Sequence, residues 1–464
     1  MPLGKKNTLL FIFSLAPFAA IVFILYLPTT PNHKSQNSTE VDPTEIAGVE
    51  AKAAISDELT SLVLSDYKDL IPNEFESSPY FYPTVRFWFG IYTQFDSKQV
   101  VIHDKDSLGL VYSVLDFTKL NTAGVNRFAQ SAIVQKIIRD KISSISNAYT
   151  QLSLGKTDST LSQNILKLLR DHKLVIPSSA LERKKFFEIR IENIRTQTGQ
   201  RDAIASGINR MMPFSDFLQV ILAEFNLPLQ LTAIPFLESS FNNIAESKVG
   251  ALGIWQFMPH IGNHFMPKRT SLADYRSNPF IASIAALHLL KENHKILKSW
   301  DLAVTAYNSG TKHLVKARKE LGINHLEEIF MQYNHPHIGF ASKNFYAEFV
   351  ALVATLAYRD EIFPAAEYDS IHDPARIKIG PAKCSFDLDK LKKNLPEKSW
   401  QRFKELNPHL LKPKGLYPRG TIIVSDSQDT NYLILPLSPG QWRSHIPSRW
   451  AHAFLNKNHS CSTR

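Results

Sequence analysis

The chain has 464 residues, enough for two or three domains that each bury a core. Its 44% hydrophobic and 21% charged residues are ordinary for a globular protein and exclude a wholly disordered or fibrous chain. The balance of 53 basic and 43 acidic residues, +10 net, suits an anionic partner, but the charge is spread without a dense Lys/Arg run, which argues against nucleic acid.

Lys5 and Lys6 precede a mostly apolar run from Leu9 to Leu27. As a helix this run spans roughly 28 Å, about one hydrocarbon core. No small-residue cleavage site follows, so residues 1–30 are expected to be an uncleaved signal anchor, positive end in the cytoplasm, with Pro17 leaving cleavage open. The cytoplasmic membrane is then a partner, and the body of the chain lies outside it. The only cysteines, Cys384 and Cys461, can pair in an exported protein or remain thiols; the sequence leaves both open.

Residues 31–55 are polar, proline-bearing and expected to be a linker. Residues 56–200 are expected to be mostly helical, with a hairpin between Val100 and Leu115 in "QVVIHDKDSLGLVYSVLDF". The helical pattern runs from about 120 to 212 and includes "FFEIRIENIRTQTG". Helices are then predicted at 214–225, 227–241, 280–298, 301–308, 312–321 and 344–358. Beyond Pro364 one helical piece, Leu388–Leu406, precedes the strand-like "GTIIVSD" and "YLILP".

Several chemistries find no footing. "LGKTDS" lacks the upstream glycine of a phosphate loop, since Thr150 stands in its place. There is no HExxH and no GxSxG, and His335 and His337 in "NHPHIG" sit in a turn without a third ligand nearby, so neither a metal nor another cofactor is expected.

The stretch "IPFLESSFNNIAESKVGALGIWQFMP" holds the best candidate. As a helix, 227–241 puts Leu227, Leu231, Ile234, Glu238 and Phe241 on one stripe, with Leu229 and Phe236 opposite, so the helix is expected to be covered nearly all round. A glutamate there is ordinarily a surface residue on a mis-phased helix. Three features argue otherwise. Glu238 lies in the last helical turn, where the macrodipole and apolar neighbours both raise its pKa, as a general acid needs. Gly250, Gly253, Trp255, Gln256 and Phe257 follow, offering close backbone approach, a flat indole face and amide donors suited to sugars, with Phe257 read as core. "SWDLAVTAYNSG" then ends a helix at Gly310, leaving Tyr307 and Asn308 at its terminus.

Together "ES" at Glu238-Ser239, "SKVGALGIWQFMP" from Ser247 and "AYNSG" from Ala306 resemble the lytic murein transglycosylases of glycoside hydrolase family 23, in the membrane-bound transglycosylase D branch. The flanking "LPLQLTAIPFLESSF" and "NFYAEFVALVATLAY" share the resemblance, which covers about 190 to 360. It implies a mainly α fold. A lysozyme-like helical catalytic domain would span 201–365, behind an N-terminal helical region over 56–200. A small C-terminal α+β domain at 375–450, bearing a slight resemblance to a LysM module, would follow. It also implies a periplasmic enzyme on the bacterial inner membrane, with peptidoglycan glycan strands as its partner. Glu238 would be the catalytic acid, and Ser247, Gln256, Tyr307, Asn308, Trp255 and Ser239 would line the substrate site, Ser239 chiefly by shaping the turn.

No second carboxylate is evident: Glu246 reads as a loop residue, Asp274 and Asp301 as turn or cap residues. One acid alone suits a substrate that supplies its own nucleophile. By the resemblance, Glu238 protonates the β-1,4 oxygen between N-acetylmuramic acid and N-acetylglucosamine, and the muramyl acetamido carbonyl traps the anomeric carbon. The carboxylate then takes the proton of the 6-hydroxyl, which closes a 1,6-anhydro ring. A water-using muramidase on the same fold and a non-catalytic wall-binding scaffold stay open as alternatives. The sequence says nothing of oligomeric state.

Overall fold

The computed structural model describes residues 55–71, 75, 78–120, 125–363, 376–412, 415–427, 432–436 and 452–456. The predicted anchor and linker lie outside them. Among the described residues no helix is long and apolar enough to cross a membrane.

Helix α1 (Asp57–Leu70) starts at Ser56, whose hydroxyl accepts from the Leu59 N–H. Helix α2 (Tyr82–Thr93) buries Val85, Phe87, Trp88, Phe89, Ile91 and Tyr92. The expected hairpin follows as strands β1 (Gln99–Asp104) and β2 (Val111–Asp116), paired antiparallel.

Helices α3 (Arg127–Ser153), α4 (Thr160–Asp171) and α5 (Ala180–Glu192) come next. The helix expected through "FFEIRIENIRTQTG" stops at Glu192, and Ile194–Thr198 forms strand β3, antiparallel to β1 in a sheet of order β2-β1-β3. Ile194, Thr196 and Thr198 are β-branched at a spacing of two, and the free edge of β1 supplies their partner. The region 56–200 therefore packs in two places. Ile145, Tyr149, Leu169 and Phe187 build a core with the sheet. By contrast, α1 and α2 share the large core of residues 204–363.

That larger core is helical. It contains α6 (Arg201–Met211), α7 (Ser215–Phe225), α8 (Ile234–Ser239), α9 (Pro259–Phe265) and α10 (Pro279–Leu297). Helices α11 (Trp300–Ser309), α12 (Thr311–Leu321), α13 (Leu326–Gln332) and α14 (Phe340–Ala357) complete it. Apart from the 227–241 segment, the helices expected from periodicity after 214 lie close to their predicted bounds. Helix α14 is central and packs against α1, α2, α8 and α11. Trp88 on α2 donates its indole N–H to Asn344 Oδ1 on α14 at 3.0 Å.

The predicted helix Leu388–Leu406 is two, Leu388–Asn394 and Glu397–Leu406, because Pro396 cannot continue the ladder and disfavours a helical residue before it. Strand Ile377–Pro381 pairs antiparallel with Ile422–Asp426, inside "GTIIVSD", and Tyr432–Pro436, "YLILP", with His452–Asn456. Cys384 is disulfide-bonded; the other cysteine, Cys461, lies outside the described residues.

This C-terminal part is tied to the segment before α10. Asn278 caps α10 by accepting from the Phe280 and Ile281 N–H groups at 3.1 Å, while its amide donates to Leu406 O at 2.8 Å and to His409 Nδ1 at 2.9 Å. His409 then donates from Nε2 to Ile422 O at 2.9 Å, and burial lowers its pKa to about 4, so it stays neutral. Asn278→Ala is expected to cost about 2 kcal/mol, since a cap is lost and buried partners are orphaned, which urea unfolding would read.

Candidate active site

Glu238 is the next-to-last residue of α8. The helix predicted over 227–241 is shorter, with a 3₁₀ turn at Leu229–Ala233 leading into α8 and the chain leaving it at Ser240. Ser240 and Phe241 both take positive φ, 47° and 63°, a conformation costly for non-glycine residues. Their N–H groups donate to Phe236 O and Pro235 O at 2.9 and 3.0 Å, and Arg210 donates to Ser240 O at 2.6 Å. The cap is thus closed by two local hydrogen bonds at the helix end and one tertiary contact from Arg210. Leu231, Ile234, Phe236 and Phe241 are buried, whereas Leu229, expected to be covered, is 53% exposed.

The Glu238 side chain is carried into this apolar setting. Burial pushes its pKa from 4.5 to about 8, which keeps the proton on it at neutral pH. Tyr307, at the end of α11, stands beside it. Burial first, and then the Glu238 charge, hold the Tyr307 hydroxyl well above its ordinary value of 10. That hydroxyl donates to Trp255 O at 2.8 Å.

The loop between α8 and α9 closes over the end of α8. Ser239 Oγ donates to Ile254 O at 3.0 Å and accepts from Asn242 N–H. Ser239 has no exposed surface, so it shapes the turn and offers nothing to a ligand. Trp255 is a correction to the sequence reading. Its ring is 1% exposed and its N–H donates to Ser283 Oγ at 2.9 Å, so the indole is core and only its carbonyl faces the site. Phe257 is core, as expected.

Gln256 adopts φ 45°, held there because its side-chain amide donates to Ala245 O and Gly253 O, both at 2.9 Å. Ser247, half-buried, accepts from Ala251 N–H at 2.9 Å. Asn308, also half-buried, accepts from Ser342 Oγ on α14 at 3.0 Å. The structure thus sets Tyr307 of α11 against Glu238 of α8 and against the Trp255 carbonyl of the loop that carries Ser247 and Gln256, while Asn308 is tied to α14.

That loop is pinned from behind by Arg276. Its guanidinium makes a two-point pair with Asp274, at 2.9 and 2.7 Å, and donates to Gly250 O and Phe257 O at 2.7 and 2.8 Å. Gly253, at φ +84°, passes so close that a Cβ there would lie 1.9 Å from Arg276 O, so only glycine fits. Asp274 is consumed in this pair and Glu246 is exposed, so neither is a second acid.

Two features escaped the sequence reading. His335 and His337 do have a third imidazole nearby, His313, with ring centres 4.1 Å apart for His313 and His337. The three rings are tilted 31–39° to one another, and among the described residues no group of three or more His, Cys, Asp or Glu side chains is arranged to hold a metal ion. The other is Glu348 on α14. Burial first, and then the Glu238 charge, push its pKa from 4.5 to about 8, and its helix packs against α8. The available signal was its isolation: it is the single charge in "NFYAEFVALVATLAY".

Comparison with known proteins gives the same region. The transglycosylase SLT domain family matches residues 222–333. The membrane-bound lytic murein transglycosylase D of Escherichia coli (strain K12) is 33% identical over 111 residues, 24% of this chain and 25% of that protein. Its namesake in Escherichia coli O6:H1 matches equally. A putative tributyltin chloride resistance protein of Alteromonas sp. (strain M-1) is 30% identical over 109 residues, 23% of this chain and 53% of that protein. The chain thus spans about a quarter of the length of the murein transglycosylases and about half of the third relative. Glu238, Gln256, Tyr307 and Asn308 all lie inside the stretch, residues 222–333, that resembles the transglycosylase SLT domain family.

Proposed function

We propose that this chain is a peptidoglycan lytic transglycosylase in which Glu238 is the general acid and then the general base. The carrying observation is the carboxyl itself: buried at a helix end, pushed up to about 8, and placed inside the matched SLT stretch. Such a group gives its proton to a glycosidic oxygen and, once ionised, is basic enough to take one back. The returned proton comes from the muramyl 6-hydroxyl, which closes the 1,6-anhydro ring as the acetamido-trapped anomeric carbon is released. Ser247, Gln256 and Asn308 contact the acetamido and hydroxyl groups of the glycan, and Tyr307 orients Glu238.

The architecture in this reading is a lysozyme-like catalytic unit over 201–365, buttressed by α1 and α2, with Leu9–Leu27 anchoring it to the inner membrane on its periplasmic side. The net charge of +10 fits a polymer bearing lactyl and peptide carboxylates. Mass spectrometry of muropeptides released from sacculi by the purified chain is expected to find 1,6-anhydromuramyl ends. Reducing ends in their place would turn the reading to a muramidase, and no release would sink both.

A further inference from the structure

Three imidazoles cluster beside the candidate site. His313 lies on the first turn of α12, and His335 and His337 lie in the turn between α13 and α14. Their ring centres are 4.1 to 5.8 Å apart, and all three residues are half-buried. Two contacts join the cluster to the end of α11. Ser342 Oγ lies 3.0 Å from Asn308 Oδ1 and 3.4 Å from the His337 carbonyl oxygen. His313 Cδ2 lies 3.6 Å from where a Cβ on Gly310 would stand, just past Asn308. His335 is fixed in place: its ring stacks on Tyr333 with centres 5.5 Å apart, and its Nδ1 accepts from the His337 N–H at 3.2 Å. In the neutral ring the hydrogen is then on Nε2, which is a donor. Among the described residues the rings of His313 and His337 make no hydrogen bond within the protein, and Lys312 makes no ion pair. Lys316, a turn further along α12, is shared with Glu320 at 3.6 Å.

We propose that His313, His335 and His337, with Lys312, form a subsite for a carboxylate carried on the glycan, so that the site selects strands with acidic substituents. The inference rests on the proposed function, and it names which part of that substrate lies past Asn308. The rings are not arranged to hold a metal ion, whereas unclaimed ring nitrogens beside an ammonium suit the two oxygens of a carboxylate. Burial first, and then His337, His335, Lys312 and Lys316, lower the pKa of His313 below its ordinary 6.5. The surroundings resist a further positive charge, and a bound anion relieves that repulsion. Peptidoglycan offers the carboxylate from two sources, the muramyl lactyl group and the peptide stem attached to it. The chemistry of recognition is the same for both.

Binding is measured by calorimetric titration of the full chain carrying Glu238→Gln, in which cleavage is slowed. The probes are murein oligosaccharides with free stem carboxyls, the same with every stem carboxyl amidated, and peptide-free strands with the lactyl carboxyl exposed. Adding His313→Ala and His337→Ala together is expected to weaken binding of the carboxylate-bearing probe about tenfold, and of the amidated probe less than about twofold. Neither ring is hydrogen-bonded within the protein, so this variant is expected to fold, with thermal melting as the check. His313→Arg supplies a fixed cation and is expected to keep the preference for free carboxyls. A loss confined to stem-bearing probes assigns the peptide as the source, and one seen with peptide-free strands assigns the lactyl group. Equal loss for acidic and amidated probes, or no loss for either, would overturn the proposal while cleavage of sacculi by wild type still upheld the functional reading. Should wild type leave sacculi intact while the selective loss is found, the functional reading fails and the subsite stands.

Discussion

Glu238→Gln is expected to lower cleavage of murein sacculi by about 10²–10⁴-fold, the usual worth of a positioned acid–base group, while stabilising the protein at alkaline pH. The two effects share one cause. Folding lifts the pKa of this carboxyl from 4.5 to about 8, so between those values the native state holds a proton that the unfolded chain has released. Stability therefore falls as pH rises through that window, by an amount on the order of a few kcal/mol. Glutamine cannot ionise and removes this slope. The variant should melt at the same temperature as wild type near pH 4 and at a higher one near pH 8. A variant that still clears sacculi at the wild-type rate would remove Glu238 from the chemistry. Equal melting temperatures at pH 8 would show that its carboxyl is not kept protonated by burial.

Arg276→Met is expected to cost about 3–5 kcal/mol of folding free energy, because it strips a buried carboxylate of its principal partner. Arg276 and Asp274 are 3% and 2% exposed, and the guanidinium satisfies both carboxylate oxygens and the carbonyls of Gly250 and Phe257 together. Arg269, half-exposed, reaches Asp274 at 3.2 Å and offsets only part of the loss. The loop carrying Ser247 and Gln256 would lose its rear anchor, so activity should fall with stability even though Arg276 touches no substrate. Arg276→Lys keeps the charge but not the planar fork, and is expected to recover only a minor share. Chemical denaturation would measure each step. A midpoint unchanged in Arg276→Met would mean that the loop is held by other contacts.

The 3.6-residue periodicity of the segments after 214 and the period-two alternation around Val100 are local properties, and the chain alone carries them. So is the recurrence of Glu238, "GALGIWQF" and "AYNSG" in one order, which was enough to recognise the SLT domain. The oddity of Glu238 was equally legible, because a charge in an apolar stripe near a helix end is visible before any fold is known.

What depended on distant partners was not. The segment Ile194–Thr198 becomes a strand because β1 presents a free edge nearly a hundred residues earlier. Trp255 looked like a platform for sugar, but Ser283 claims its N–H and the core claims its ring. Glu348 lies far from Glu238 along the chain, and only the packing of α14 against α8 brings their helices together. Sequence by itself determined which groups could do chemistry. Which of them meet, and which are spent on holding the fold, was decided by tertiary structure, since burial and electrostatic coupling depend on separation in space and not along the chain.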